Sequence, residues 1–345
     1  MSPDHATAAA AAAGTPAGTP IPGDFGHPNQ DLRRSIIIAL YFAFIMSTGA
    51  VGLRLAARRL NRTGLFLDDY LIIVALLFKY GCSIGVVILL YNGLGSHITM
   101  IPPKNLEIYF KIGYSNPFVY TTCVSTIKLS ILTLYRRLFP TAHMIVSVNL
   151  VSAILIVWTL GIYIASAMQC FPVAKFWNRA LPGTCMDPAQ FYYGMQIPNI
   201  ITDVIVLVMP LRTVWGLQIP TTQRVLLCGV FAVGGLSWIF DIVRLVEMIK
   251  LTNAGPDITY NQVPMIVWTC IQAATGITAA CLAHLRPLFN VAQQRFRERM
   301  RRYGNVGTVT VTGTEHSGKE GLGKGGFSST RESAYELFPV QGNNV

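Results

Sequence analysis

The chain has 345 residues, of which 52% are hydrophobic and 12% charged, with a formal net charge of +11 and a mean hydropathy of +0.46. An ordinary soluble domain is roughly 25% charged, so 43 Asp, Glu, Lys and Arg residues cannot coat soluble cores of this size. An ordinary soluble enzyme is excluded on that ground, disorder of the bulk by its apolar content, and a disulfide-rich secreted scaffold by a count of only 7 Cys.

Residues 1–34 form an Ala-, Pro- and Gly-rich tail, expected to be disordered and extracellular. It lacks the basic n-region of a cleaved signal peptide. Crossing ~30 Å of hydrocarbon takes ~20 mostly apolar residues, and seven such runs follow. They are Ser35–Leu53, Leu65–Tyr91, Tyr109–Leu134, Ile145–Gln169, Tyr193–Leu217, Val225–Ile249 and Met265–Phe289. The intervals are short and rich in Gly, Pro, Asn or Arg, as helix-to-helix turns are. No barrel-type alternation recurs. The predicted fold is an all-α membrane protein, a seven-transmembrane helix bundle over residues 35–289. Residues 290–303 read either as a basic amphipathic helix on the inner leaflet or as a stop-transfer cluster, and 304–345 as a disordered cytoplasmic tail.

Orientation follows from Lys and Arg in the short loops. With the N-terminus outside, the inner side holds Arg54, Arg58, Arg59, Arg62, Arg136, Arg137, Arg212, Arg224 and Arg286. It also holds Arg295, Arg297, Arg299, Arg301 and Arg302. The outer side holds half as many: Arg33, Arg34, Lys104, Lys111, Lys175, Arg179 and Lys250. The bias predicts an outer N-terminus and a cytoplasmic C-terminus. The positive charge is then a topology signal and an attraction to anionic lipid, not a nucleic-acid footprint.

In this topology Cys170 and Cys185 share the outer loop between spans four and five, and the expectation is a disulfide; two reduced thiols are the alternative. Closing that loop would add about 3 kcal/mol in the chain-entropy model. The remaining Cys lie within spans, and no Cys/His cluster points to a metal. The one glycosylation sequon, Asn61-Arg62-Thr63, falls on the inner side.

Ionisable residues inside spans are costly and mark a pathway, a pairing or a switch. Lys128 lies about 12 Å from the inner Arg136 and Asp203 about 13 Å from Arg212, at ~1.5 Å per residue. Lys79 lies about 15 Å from Asp69 by the same rise. An ion pair of Asp203 with Lys128, or failing that Lys79, is predicted. Gln196, Asn199 and Asp203 share one helical face, and Thr121, Ser125 and Lys128 another. Lys79, Lys128, Asp203 and Asn199 form either a polar switch or a static clamp. Asp68 and Asp69 read as helix caps or, facing Arg58, Arg59 or Arg136 and with Arg137 beside them, as an inner-face lock. Asp241 and Arg244, spaced for an i, i+3 pair, join Trp238, Trp268 and Gln272 as a candidate ligand cavity below the disulfide loop; an interfacial aromatic belt also accounts for the tryptophans.

Several motifs recur in a family order: Leu67-Asp68-Asp69-Tyr70, Lys128-Leu129-Ser130 through Tyr135-Arg136-Arg137, and Cys170-Phe171-Pro172 with Trp177 and Cys185. Asp203 through Pro210 with Trp215, then Arg244, Ala280-Cys281-Leu282 and Leu285-Arg286-Pro287-Leu288 complete the order. With these residues the chain resembles the fungal seven-helix rhodopsin-domain membrane proteins, which include receptor-like proteins of filamentous ascomycetes. The resemblance implies a plasma-membrane protein that senses an outside or membrane-borne signal and passes it to cytoplasmic partners, a G protein or a kinase among them. No retinal is expected, because Met265–Phe289 contains no lysine for a Schiff base. No motif of an intramembrane enzyme is present. A transporter or channel gated by the Lys/Asp group is the alternative to a receptor.

Overall fold

The computed structural model describes the backbone of residues 30–60, 64–215, 221–253, 255 and 257–283. Seven helices account for nearly all of it: α1 (Gln30–Leu60), α2 (Leu67–Tyr91), α3 (Pro103–Leu138), α4 (Ala142–Ala167), α5 (Pro188–Trp215) and α6 (Thr221–Asn253), then α7 (Ile258–Ala283). α7 opens with the turn Ile258–Asn261 and passes through Gln262. Among the described residues, α1 to α5 and α7 are long and apolar enough to cross a membrane by length and composition. α6 carries Asp241, Arg244, Glu247 and Lys250 within three turns.

The helices outrun the apolar segments that predicted them. α1 begins at Gln30 rather than Ser35 and runs seven residues past Leu53. Its backbone keeps its i to i−4 bonds beyond the apolar run because Arg54 and Arg58 find buried partners on α2. The predicted tail 1–34 thus contributes its last residues to a helix. The Asn61 sequon, residues 284–289 of the seventh span, the basic segment 290–303 and the tail 304–345 lie outside the described residues.

Short connections between long helices make neighbours run up and down. One end of the bundle carries the α2–α3, α4–α5 and α6–α7 connections and is called here the disulfide end; the other is the arginine end. α3 and α7 are the inner helices, each with 61% of its apolar stretch buried, against 22–28% for α1, α2 and α4. The outward remainder of α1 and α4 is alkyl and aromatic, Ile38, Tyr41 and Ile45 on the one and Val146, Leu150 and Val157 on the other. That is the surface hydrocarbon requires.

At the disulfide end the α4–α5 loop forms a small antiparallel hairpin, β1 (Cys170–Phe171) with β2 (Thr184–Cys185), in which Cys170 faces Cys185. These two residues are joined by the disulfide. The hairpin is the one β element among the described residues. Phe110, Tyr114, Phe176 and Trp177 pack edge to face beneath it. A second clip closes the same end. His97 bonds the Asp257 carboxylate and stacks on Tyr260, while the Ile98 amide donates to Asp257 at 2.9 Å. Burial pushes the Asp257 carboxyl up, but the bonds from His97 and Ile98 outweigh it and hold it below the usual carboxylate range. Gly93, at φ +107, turns the chain out of α2 toward this clip.

Pro198 lies inside α5 and cannot donate to the Gly194 carbonyl. The indole of Trp158 on α4 donates to that carbonyl instead, at 3.4 Å.

Candidate functional site

Two buried clusters of charge lie within the bundle. The first is at the arginine end, where α1 and α2 meet. Arg54 and Arg58 are one helical turn apart on α1, and Asp68 and Asp69 open α2. Arg54 donates to Asp68 at 2.7 Å and to Asp69 at 2.8 Å, and Arg58 reaches the same pair at 3.4 and 3.0 Å. All four side chains are at most 5% exposed. Asp69 also accepts the Phe66 amide at 3.1 Å, so it caps α2 while it pairs with arginine. Ser130 on α3 donates to the Asp68 carbonyl at 2.8 Å, which adds a third helix.

Of the arginines expected to lock Asp68 and Asp69, Arg58 pairs with both, whereas Arg136 and Arg137 do not among the described contacts. Arg136 is exposed and reaches Asn149 at 3.4 Å. Arg137 lies over the Phe66 ring, 3.5 Å from its centroid, and Arg58 approaches the same ring at 4.8 Å. Arg54 is nearer the carboxylates in space because it lies inside the α1–α2 hairpin, whereas Arg136 and Arg137 sit past the buried end of α3. Arg54 reads in sequence as one more topology arginine. The signal that marks it is the stripe Ser47, Val51, Arg54, Arg58, spaced four, three and four residues apart on one helix face and all buried.

The second cluster joins α3, α5, α6 and α7 in mid-bundle. Lys128 Nζ is 3.0 Å from Asp203 and also donates to the Asn199 carbonyl (2.7 Å), Asn199 Oδ1 (2.8 Å) and Thr202 (2.8 Å). Asp241 is its hub. Gln196 donates to Asp241 at 3.2 Å and Asn199 at 2.9 Å, and Gln272 donates to it as well. The oxygens of the same three amides face cations. Asn199 accepts from Lys128, while Gln196 and Gln272 accept from Arg244 at 2.9 and 3.3 Å. Each amide therefore relays between one carboxylate and one cation. Arg244 also meets the Tyr120 hydroxyl and lies 4.0 Å above that ring.

Sequence reasoning placed Lys128, Asp203 and Asn199 together, and the structure does so too. Lys79 is not with them: it lies on α2 beside the rings of Phe44 and Tyr80, 5.8 and 5.5 Å from their centroids. The face Thr121, Ser125, Lys128 is also split, since Ser125 pairs with Thr159 on α4 at 2.7 Å. Asp241 and Arg244 make no direct ion pair among the described contacts; the amides stand between them. Tyr120 and Thr202 were not singled out beforehand, and Tyr120 has no polar periodicity to betray it.

The predicted cavity below the disulfide loop is displaced. A cavity of about 80 Å³, room for a few waters, borders this network on its other side. Lys128, Asp203, Asp241 and Gln272 line its polar wall, and it runs toward Tyr135 and Ala283 at the arginine end. Small residues, Gly234 and Gly276 among them, leave the space. Trp268 packs on Phe240 instead, with ring centroids 5.6 Å apart, and the Trp238 indole nitrogen is buried with no hydrogen-bond partner among the described residues. No group of His, Cys, Asp and Glu among the described residues is arranged to hold a metal.

Comparison with known proteins places this architecture. The fungal rhodopsin domain matches residues 53–291. The polyenoic acids biosynthesis gene cluster protein Ba17b of Metarhizium anisopliae is 31% identical over 74% of this chain and 73% of its own. A SAT4 family membrane protein of Emericella nidulans is 29% identical, the match covering 57% of this chain and half of the relative's length. Receptor GIN3 of Arthrobotrys oligospora is 22% identical over 73% of this chain and 62% of its own. No solved structure matches. With a domain match from the last turns of α1 through α7 and a relative aligned over 74% of the chain, this protein belongs to the fungal rhodopsin-domain family of membrane proteins.

Proposed function

We propose that the chain is a seven-span plasma-membrane receptor with its N-terminus outside, whose mid-bundle network changes its pairing when a signal arrives and thereby alters the arginine end. The observation that carries this reading is the relay of three amides between Asp241 and the cations Lys128 and Arg244, set against a cavity. Charges satisfied by neutral amides can exchange partners by rotating side chains, and a small cavity leaves room to do so. A ligand or proton that alters one member then shifts the balance between alternative pairings.

The orientation is supported independently at the two ends. The disulfide belongs on an oxidising side, and it lies opposite the arginines, which favour the cytoplasmic face. α6 joins the spans in this reading because its charges are buried in the network or placed in its last turns. One relative carries the name of a receptor; others are named for biosynthesis clusters, and receptor action near such clusters would couple a signal to product formation. The inner partners are a G protein or a kinase, and no enzymatic role is assigned.

The test is proximity labelling in living cells from a tag at Val345, comparing wild type with Asp203→Asn at matched surface level. Signalling subunits enriched in the wild type and depleted in the variant are expected. Solute flux in liposomes that disappears with Asp203→Asn, with no signalling neighbours in cells, overturns the receptor reading in favour of transport.

A further inference from the structure

Lys79 stands apart from every other buried charge in the described bundle. Arg54 and Arg58 face two carboxylates, Lys128 faces Asp203, and Arg244 shares its amides with Asp241. Lys79 is 2% exposed, and its Nζ has no hydrogen-bond partner among the described residues. The titratable side chains around it are thiols, Cys82, Cys123 and Cys270, with no carboxylate among them. It is the thirteenth of the 25 residues of α2, so it lies about 18 Å from either end at ~1.5 Å per residue. An amine left so is a strong cost in a bilayer.

Its surroundings open to lipid on one side. On α1 the residues Tyr41, Phe44, Ile45 and Thr48 form a stripe, and on α2 Leu77, Tyr80 and Ile84 form another. Most of these side chains are exposed. The stripes touch at a waist where the Phe44 and Tyr80 rings lie 5.4 Å apart and Thr48 shares a 2.6 Å hydrogen bond with the Tyr80 hydroxyl. The Lys79 amine is directly behind that waist, within 6 Å of both rings.

We propose that Lys79 binds the carboxylate of a single-chain fatty-acid-like amphiphile that enters from the bilayer between α1 and α2. The chain of the ligand lies along the two stripes, and its head passes the Phe44–Tyr80 waist to pair with the amine. Only a monoacid fits the depth. A phospholipid phosphate is held at the membrane interface by its hydration, whereas a carboxylic acid crosses hydrocarbon as the neutral R–COOH. Inside, one proton moves from carboxyl oxygen to the Lys79 nitrogen, giving R–COO⁻ beside –NH3⁺. The pair is neutral overall, so no net charge enters the bilayer. The site depends on α2 lying in the membrane and is separate from whether the bundle signals.

The experiment uses the purified full chain in lipid nanodiscs, with palmitic acid, hexadecanol and methyl palmitate as probes. Thermal unfolding of the wild type is expected to rise by about 5 °C with saturating acid and to be unmoved by the alcohol or ester. Lys79→Met is expected to unfold at a higher temperature than the wild type without ligand and to lose the acid's effect. A merely structural lysine predicts the opposite sign for the first result. Wild-type photo-crosslinking with a diazirine fatty acid supplies a readout that needs no variant. Adducts on the stretches around Phe44 and Tyr80, displaced by palmitic acid and not by hexadecanol, support the site. Equal stabilisation by acid and alcohol, or adducts confined to other helices, overturns it.

Discussion

The two buried charge clusters solve one problem in different ways. At the arginine end, two guanidiniums meet two carboxylates directly; in mid-bundle, three amides stand between Asp241 and its cations. Direct pairing of four buried charges leaves no member free to move, because any departure strands a full charge. Amide relays spread the same charge over neutral groups that can turn, and a cavity adjoins them but not the clamp. The clamp joins helices adjacent in sequence, and the relay joins four helices drawn from both halves of the chain. The first is suited to holding the hairpin of α1 and α2, and the second to coupling distant helices.

The sharpest way to break the contrast is Asp69→Asn. It removes a carboxylate shared by Arg54 and Arg58, and the expected loss is about 3–5 kcal/mol of stability, read from unfolding of the detergent-solubilised protein. A loss below 1 kcal/mol would mean the clamp is not holding the hairpin. Tyr120→Phe removes one neutral acceptor from Arg244 and leaves the oxygens of Gln196 and Gln272. The expected cost there is smaller, about 1.5–3 kcal/mol for a bond to a buried charge, and a double-mutant cycle with Gln272→Leu should show coupling. Additive effects would mean that Gln272 and Tyr120 do not act as one network.

The smallest effect is expected outside both clusters, at the His97–Asp257 clip. The Asp257 carboxyl is held below its ordinary value in the folded chain, so its contribution is present above the usual carboxylate range and is lost as pH falls through and below it. Both side chains are about a third exposed, which keeps the contribution below about 1 kcal/mol. Unfolding midpoints of wild type and Asp257→Asn are expected to differ at neutral pH and to converge in acid. A gap that widens toward low pH would contradict the sign.

What could be read beforehand follows from which quantities sequence encodes. Helix existence was legible because hydrocarbon thickness demands a run of fixed length, and Cys170 with Cys185 because a single short loop holds both. The common depth of Lys128 and Asp203 was legible because the rise per residue is constant. Rotation about each helix axis was less so. Lys79 has nearly the depth of Asp203 but points between α1, α3 and α7, and only packing decides that. Arg54 was hidden for another reason: positive residues at a span's inner edge normally mark topology, and burial on a partner helix leaves no trace in composition. The far side of the network from the disulfide became the cavity because of Gly234 and Gly276, whose missing side chains are informative only once their neighbours are known.

Phe66 has a consequence for how the arginine end can move. Two arginines of like charge, Arg58 from α1 and Arg137 from the end of α3, use one ring. The negative π-face of that ring spaces and partly offsets two cations that would otherwise repel. A single uncharged side chain in the α1–α2 turn thereby joins the Ser130–Asp68 hydrogen bond in tethering α3 to the first hairpin. An outward swing confined to the arginine end of α3 would break that cation–π contact and the Ser130 hydrogen bond but no ion pair of the clamp, so this end can open without stranding any of the four clamped charges.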